Sequence, residues 1–411
     1  MTGRRWLGGA VLVAGLLASM PAHAWRFDLG ENTNLNVAAL IQFQAQFQQA
    51  GAPDKTAWSK DFYLRRVRLL LWGDVWKGIS FFVDTEQPNL GKGGNWDVAL
   101  IVSDAFMTFK VADQFMVDVG MMLMPFARHG VQSAPGLNGL DFHFGLLRFV
   151  EGSHKNLRDV GVQLRGYIFD RRLQYRVGVF NGAQGQSLQR DSTGAVTKDA
   201  AGQTALLSNP ADLPRFAGHV RYNILGTETE FFAKGITFGS GPTLSIGAGF
   251  DFQPSCALKT PTVLNADRTV KTPGTLTHSI GATADVFLDV PFGPEKQHEF
   301  VFMSAVFWYD HGNEVAYDTA GNPSTVHSRN SGIGILAELG YRYTFFEPVL
   351  TMDWFDSRQA AQDLLVIKGG LNFWIRKAAV NIKTEFGGEK RGNLASAPWI
   401  KAFTSQVQLF F

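Results

Sequence analysis

Three arginines lie within four residues of one another in FYLRRVRLLLWGDV (residues 62–75), at Arg65, Arg66 and Arg68. A guanidinium group stays charged at physiological pH, and its planar fork of N–H donors fits an oxyanion. Fixed positive charge in a confined aqueous space guides or binds small anions. Further candidates for this chemistry, one of them an acid, are spread along the chain: Asp104, Arg128, His129, Arg148, Lys155, Arg158, Arg165 and Arg176.

These candidates lie in or between segments that alternate apolar and polar residues. In LNVAALIQFQAQF (residues 35–47) the odd positions are all apolar, and the even positions become amides after the middle. Successive side chains of a strand point to opposite faces, so this alternation predicts strands with one apolar face. About sixteen segments share it: 34–48, 62–76, 78–86, 98–110, 114–122, 158–169, 172–181, 213–225, 242–253, 276–290, 298–311, 331–345, 347–356, 363–375, 377–386 and 402–411.

The same alternation predicts which arginines share a face. Val67 and Leu69 belong to the apolar face of the second segment, so Arg66 and Arg68 should lie on the polar face. Arg65 would then point the opposite way, unless it lies near a strand end or a bulge.

The connections between segments alternate between short and long. This is typical of an up-and-down antiparallel barrel with two unlike ends. The longest connection, Leu123–Leu157, follows the fifth segment. The connection 226–241 departs from the alternation, because it is long where a short one is expected.

Two architectures could bury the apolar faces. A soluble sandwich packs them against a second sheet, whereas a barrel in lipid closes so that no backbone group stays unpaired. Segments of about ten residues, the 34 phenylalanines and the terminal Phe411 favour a transmembrane barrel. Aromatic clusters in FWYD (307–310), YRYTFF (341–346) and NFWIR (372–376) are expected at the membrane interfaces.

The first 24 residues have the features of a secretory signal peptide. Arg4 and Arg5 precede an apolar run, and Ala22-His23-Ala24 forms a cleavage site before Trp25. We therefore expect residues 25–411 to form one barrel domain, exported to the outer membrane of a Gram-negative cell.

Composition excludes several other classes of protein. The chain has 38 Lys+Arg and 36 Asp+Glu, and loss of Arg4 and Arg5 leaves 36 of each, so no nucleic-acid partner is expected. Cys256 is the single cysteine, which excludes an intrachain disulfide. No cofactor is expected either.

Four blocks of sequence resemble the phosphate-selective porin O and P family: residues 62–75, VSDAFMTFK (102–110), VDVGMMLMPF (117–126) and RDVGVQLRGYIFDRRLQYRVGVFNG (158–182). The resemblance implies a trimeric, sixteen-stranded barrel with a diffusion pore, narrowed by an inward-folding loop after the fifth strand. Arg65 and Arg66 match the paired arginines of that family, and Asp104 matches the acid of its fourth-strand motif.

The chain departs from the family pattern at the start of the predicted loop. Leu123 occupies the position at which members commonly carry Lys, and Ala127 occupies that of a frequent Ser. An ammonium group and a hydroxyl group are therefore missing, and we expect weaker phosphate binding than in phosphate-selective relatives.

The sequence leaves other functions open. His129, His143 and His154 share one loop, but their irregular spacing favours exposed histidines over a metal site. No Gly-x-Ser-x-Gly motif is present. A passive, anion-preferring porin is the favoured interpretation, and its partners would be outer-membrane lipid, small anionic or polar solutes and the barrel-assembly machinery. A non-selective porin, a structural or adhesive barrel and an enzyme with its site at the rim remain alternatives.

Overall fold

The computed structural model describes residues 24–150, 153, 157–184, 209, 211–260, 263–264, 270–272, 274–317 and 323–411, so the predicted signal peptide lies outside the described residues. In this part of the chain sixteen antiparallel strands close a barrel, and each corresponds to one predicted segment. They are β1 (Thr33–Gln48), β2 (Ser59–Trp76), β3 (Ile79–Leu90), β4 (Ile101–Ala112), β5 (Phe115–Leu123), β6 (Arg158–Ile168), β7 (Leu173–Phe180), β8 (Arg215–Leu225), β9 (Thr243–Thr260), β10 (Thr275–Phe292), β11 (His298–Asp310), β12 (Gly332–Tyr343), β13 (Phe346–Ser357), β14 (Leu364–Ala378), β15 (Val380–Arg391) and β16 (Ile400–Phe410).

The barrel closes where β1 pairs with β16. The amide side chains of the polar face meet across this seam, with Gln42 bonded to Gln408 at 2.7 Å and Gln44 to Gln406 at 2.8 Å. A short N-terminal strand, Trp25–Gly30, pairs with the remaining length of β1. The N-terminal strand and β16 pair with the same edge of β1, one after the other. Phe411, which follows β16, exchanges two backbone hydrogen bonds with Ala39 of β1.

Alternation divides the wall into a lipid-type face and a lumen face. Phe43 and Leu69 are exposed on the outside, whereas Gln42, Arg66 and Arg68 are buried on the inside. A chain that closes on itself satisfies its backbone groups without an open edge. Among the described residues, no helix is both long and apolar enough to cross a membrane.

The remaining regular structure is short. The described residues contain five 3₁₀ turns, at Lys92–Gly94, His129–Val131, Ala134–Gly136, Pro294–Lys296 and Ala360–Gln362. Small strand pairs are formed by Val263–Leu264 with Val270–Thr272, and by Asn313–Tyr317 with Pro323–His327.

Within the described residues, two connections fold into the lumen from opposite ends of the barrel. The long insert (residues 124–150, 153 and 157) follows β5 at the loop end, where the long connections lie. The short insert (residues 226–242) follows β8 at the terminal end, near Trp25 and Phe411. They meet inside, where Ala233 exchanges backbone hydrogen bonds with Val131 and Ser133, at 3.0 and 3.1 Å. The anomalous length of 226–241 thus reflects an element that occupies the lumen.

The inserts pack against one side of the barrel and give it a hydrophobic core. Phe126 lies against Phe307 and Tyr309, which point inward from β11 and are fully buried. The expectation that the FWYD cluster forms an interface girdle is wrong for these two rings, and Trp374 of the NFWIR cluster is likewise buried inside. In the FWYD and NFWIR clusters only alternate residues point outward, such as Trp308 and Ile375.

Candidate functional site

A bulge in β2 brings all three clustered arginines to the lumen. Against β1, Gln42 faces Arg66 and Phe43 faces Leu64, so Arg65 is the extra residue of the bulge. Arg65 therefore shares the inner side with Arg66, and both bind the carboxylate of Asp141 in the long insert, at 2.6 Å each. Burial alone would raise the pKa of Asp141, but these two positive charges outweigh it and hold that pKa well below its usual range.

The next row of lumen charges is internally paired. Arg68 bonds Asp84 at 2.8 Å and Glu86 at 2.6 Å, both on β3. Arg158, at the start of β6, bonds Asp104 of β4 at 2.8 Å. The predicted acid is thus an arginine partner, and a charge-assisted hydrogen bond of this kind orients the guanidinium.

Within the described part of the chain, three successive cavities follow the wall formed by β1–β6. The outer cavity, of about 250 Å³, is lined by Arg65, Arg66, Arg68 and Arg158. The central cavity, of about 310 Å³, shares Arg68 and Arg158 with it. The inner cavity, of about 370 Å³, follows toward the terminal end and is lined by Arg165. Because neighbouring cavities share lining residues, they follow one another along one side of the lumen.

Arg165 and Arg176 lie at the inner level. Arg165 bonds Asp118 at 2.7 Å, and its guanidinium lies 5.1 Å from the ring centre of Phe231 in the short insert. Arg176 lies 4.8 Å from the same ring and donates a hydrogen bond to the backbone oxygen of Phe231. These two arginines hold the short insert in place.

Arg128 and Arg148 do not line these cavities, which corrects their predicted role. Arg128 is completely buried and forms two hydrogen bonds with Glu228 of the short insert, at 2.6 and 2.8 Å. Arg148 covers the ring of Phe355 at 3.6 Å on the far wall and donates hydrogen bonds to the backbone oxygens of Arg329 and Gln362 there. Both arginines therefore attach the long insert to its surroundings. Lys155 lies outside the described residues.

The histidines of the long insert are buried, so the expectation of exposed histidines is wrong. The ring nitrogens of His143 lie 2.5 Å from a carboxylate oxygen of Asp353 and 3.4 Å from one of Glu338. The ring of His129 accepts a hydrogen bond from the backbone N–H of His143. His154 lies outside the described residues. In the described ranges, no three His, Cys, Asp or Glu side chains are grouped in a way that would hold a metal ion.

These surroundings move the two histidines in opposite directions. Burial lowers the pKa of His129 to about 4. Burial would also lower the pKa of His143, but Asp353 and Glu338 outweigh it and raise the pKa to about 10. His143 is therefore a cation at neutral pH, and it attaches the long insert to two acids of the wall.

Two functional parts were not predicted by sequence reasoning. Asp141, the acid between Arg65 and Arg66, lies in a loop whose position depends on tertiary contacts. Phe231 and Phe232 of the short insert line the central cavity, and the unusual length of their connection was the available signal.

Comparison with known proteins agrees with this architecture. Residues 37–201 match the family model described as "Phosphate-selective porin O and P". No curated protein matches the chain in sequence.

Solved porins share the fold at low sequence identity. OmpF of Salmonella typhi, in complex with daunomycin, is 10% identical, with 94% of this chain and all of that chain covered at a TM-score of 0.56. The outer-membrane channel DcaP of Acinetobacter baumannii is 13% identical, with 94% and 99% covered at 0.55. An anion-selective porin from Comamonas acidovorans is 11% identical, with 92% and 100% covered at 0.51. The family match bears out the resemblance over residues 37–201, and the closed sixteen-stranded barrel has the fold of these solved porins.

Proposed function

We propose that the protein is a passive diffusion channel with a modest preference for small anions. The observation that carries this proposal is the lining of the outer cavity, to which the described part of the chain contributes four arginines and a single acid, Glu86. Solutes entering from the loop end meet this positive surface first. At physiological salt, the electrostatic influence of a fixed charge on a passing ion decays over about 8 Å. Selectivity is therefore decided by this local surface and not by the net charge of the whole chain.

The pairing of the arginines explains why the preference should be modest. Asp141, Glu86, Asp84 and Asp104 are bound to the same arginines that line the outer and central cavities. A passing phosphate therefore competes with carboxylates that are already in place. Leu123 lines both cavities opposite Arg158 and adds no charge where the family commonly has Lys.

The alternatives receive less support from the geometry. A rim enzyme would need a nucleophile, a base and an acid in hydrogen-bonded order. Ser279 does bond Nδ1 of His311 at 2.7 Å, but the other ring nitrogen of His311 faces the backbone oxygen of Arg148. This pair is buried and attaches the long insert to the wall, so it favours a structural role.

The environment and assembly of the channel are part of the same proposal. The exposed apolar face of the barrel fits outer-membrane lipid, and export and insertion would require a signal peptide and the barrel-assembly machinery. The family resemblance supports a homotrimer.

The proposal is tested by recording from planar bilayers in asymmetric potassium chloride, with phosphate added in steps. We expect a reversal potential closer to the equilibrium potential of chloride than to that of potassium, and weak block of the current by phosphate. Leu123→Lys should strengthen that block, because the new ammonium lies beside Arg158. Leu123→Met is the matched neutral control and should behave like the wild type. Cation preference in the wild type would overturn the proposal.

A further inference from the structure

A layer of aromatic side chains crosses the lumen between the central and inner cavities. Trp72, Phe82 and Phe106 face one another in register on β2, β3 and β4, all pointing inward. The rings of Phe82 and Phe106 are stacked with centres 5.5 Å apart. An inward apolar row is unusual for the wall of a water-filled pore, whose lumen positions are ordinarily polar.

The short insert supplies the opposite half of the layer. Phe231 stacks on Phe106 at 4.7 Å, and Phe232 lies 5.2 Å from Phe82. The two insert rings also contact each other edge to face at 4.9 Å. Aromatic faces from the wall and the insert therefore line the floor of the central cavity.

Charged groups of both signs line the same cavity above this floor. Arg68 and Arg158 contribute two guanidinium groups, and Asp84 and Asp104 contribute two carboxylates. Within the described residues, Nε of Arg68 and one oxygen of each acid have no hydrogen-bond partner, although all three groups are buried. Buried polar atoms without partners are costly, so a solute that supplies both a donor and an acceptor is favoured here.

We propose that the central cavity is a binding site for zwitterionic aromatic solutes, of which an aromatic amino acid is the simplest example. The ring would lie on Phe82 and Phe232, the carboxylate beside Arg68 and the ammonium beside Asp84 and Asp104. This inference rests on the proposed channel function and names a class of solute that the channel passes preferentially.

Charge and size both support this choice. The four charged side chains that line the cavity sum formally to zero, which matches a solute with one charge of each sign. A cavity of about 310 Å³ lies at the small end of ligand sites, which are mostly apolar with a few polar groups that orient the ligand. A single-ring solute fits this description better than a larger one.

The test uses the purified full-length barrel reconstituted in liposomes. Uptake of L-phenylalanine is compared with uptake of L-alanine, which lacks the ring, and of phenylacetate, which lacks the ammonium. We expect half-saturation for phenylalanine at a concentration about threefold to tenfold lower than for alanine, the range that one aromatic contact supplies. Chloride conductance of the same preparation reports separately on the proposed channel function.

Two variants locate the site. Phe232→Leu keeps an apolar side chain but removes one of the two rings that face the solute, and it should reduce the advantage of phenylalanine over alanine. The wild type should also take up phenylalanine in preference to phenylacetate. Asp84→Asn leaves Arg68 paired with Glu86, and it should reduce this preference, because one of the two acids beside the ammonium is lost. Phe109→Leu, on the outer face of β4, is the matched control and should change neither ratio.

Three results would overturn the inference while leaving the channel intact. The first is uptake by the wild type that follows solute size alone. The second is equal or tighter binding of phenylacetate, which would indicate a site for aromatic anions. The third is exclusion of all three solutes with chloride conductance retained, which would make the aromatic layer a hydrophobic gate. Loss of chloride conductance in the wild type would instead refute the proposed function.

Discussion

The two sides of the lumen use the same residue types for different purposes. On the cavity side, formed by β1–β6, the inward acids bind arginine side chains, as Asp84 and Glu86 bind Arg68. On the filled side, formed by β9–β14, several inward acids also accept hydrogen bonds from the backbone of the inserts. Asp289 accepts from Thr237 and Glu338 from Gly139, at 2.7 and 3.0 Å.

The apolar inward residues differ in the same way. On the filled side, rings such as Phe307 are buried against the long insert and form a core. On the cavity side, Phe82 borders a cavity. An inward position in a barrel therefore does not define an environment, because what faces it from the lumen decides whether it is packed or wet.

The largest expected effect comes from removing the filling itself. Replacing residues 130–146 by a short Gly-Ser linker removes most of the long insert and should raise single-channel conductance severalfold, because the filled side would become open. Single-channel recording of the heat-modifiable, folded protein measures this. Unchanged conductance in folded protein would mean that the insert does not limit the flow of ions.

A smaller change separates the two inserts while keeping both. Arg128→Ala leaves Glu228 as a buried charge without its main partner, which should destabilise the protein by about 3–5 kcal/mol. Lys234→Ala removes an exposed ion pair of the same short insert with Glu230 and should cost less than about 1 kcal/mol. Chemical unfolding of both variants, followed by loss of heat-modifiability, gives the comparison. Equal losses of unfolding free energy in the two variants would contradict the role of Arg128 in holding the two inserts together.

The charge balance of the cavity side can be altered without removing an arginine. Asp141→Asn removes the acid shared by Arg65 and Arg66, so the reversal potential should move further toward that of chloride. Asp113→Asn is the matched control, since Asp113 pairs with Lys110 and Arg171 in an exposed turn at the terminal end. A shift toward potassium in Asp141→Asn would show that the outer arginines do not act on passing ions.

The smallest effect concerns the attachment of the long insert by His143. The pKa of His143 is raised to about 10, above an unfolded value near 6.5, so its stabilising contribution is complete below pH 6.5 and is lost as the pH rises through 10. His143→Gln should therefore lower the melting temperature at pH 6, by on the order of 2 °C, and leave it unchanged above pH 10. A pH-independent difference would contradict the assigned charge.

The alternation of apolar and polar residues predicts the features that depend only on the geometry of a single strand. The sixteen strands and the inward direction of Arg66 and Arg68 follow from alternation, because the side-chain period of a strand is regular. Arg65 could not be assigned in this way, since a single extra residue in a bulge reverses the face of the residue that it displaces. The burial of Phe307 and Tyr309 was missed for another reason: alternation identifies two faces but does not identify what lies against each.

The long insert contacts the barrel from the inside at the junction where β1 pairs with β16. The long insert touches both sides of the junction between the first and last strands, because Asp141 binds Arg66 on β2 and the backbone oxygen of Pro135 accepts a hydrogen bond from Gln408 on β16. Gln42 on β1 completes this chain of contacts by bonding both Arg66 and Gln408. The two contacts of Gln408, with Gln42 and with Pro135, can form only when the last strand reaches the first, so closure of the barrel completes the binding of the insert to the wall.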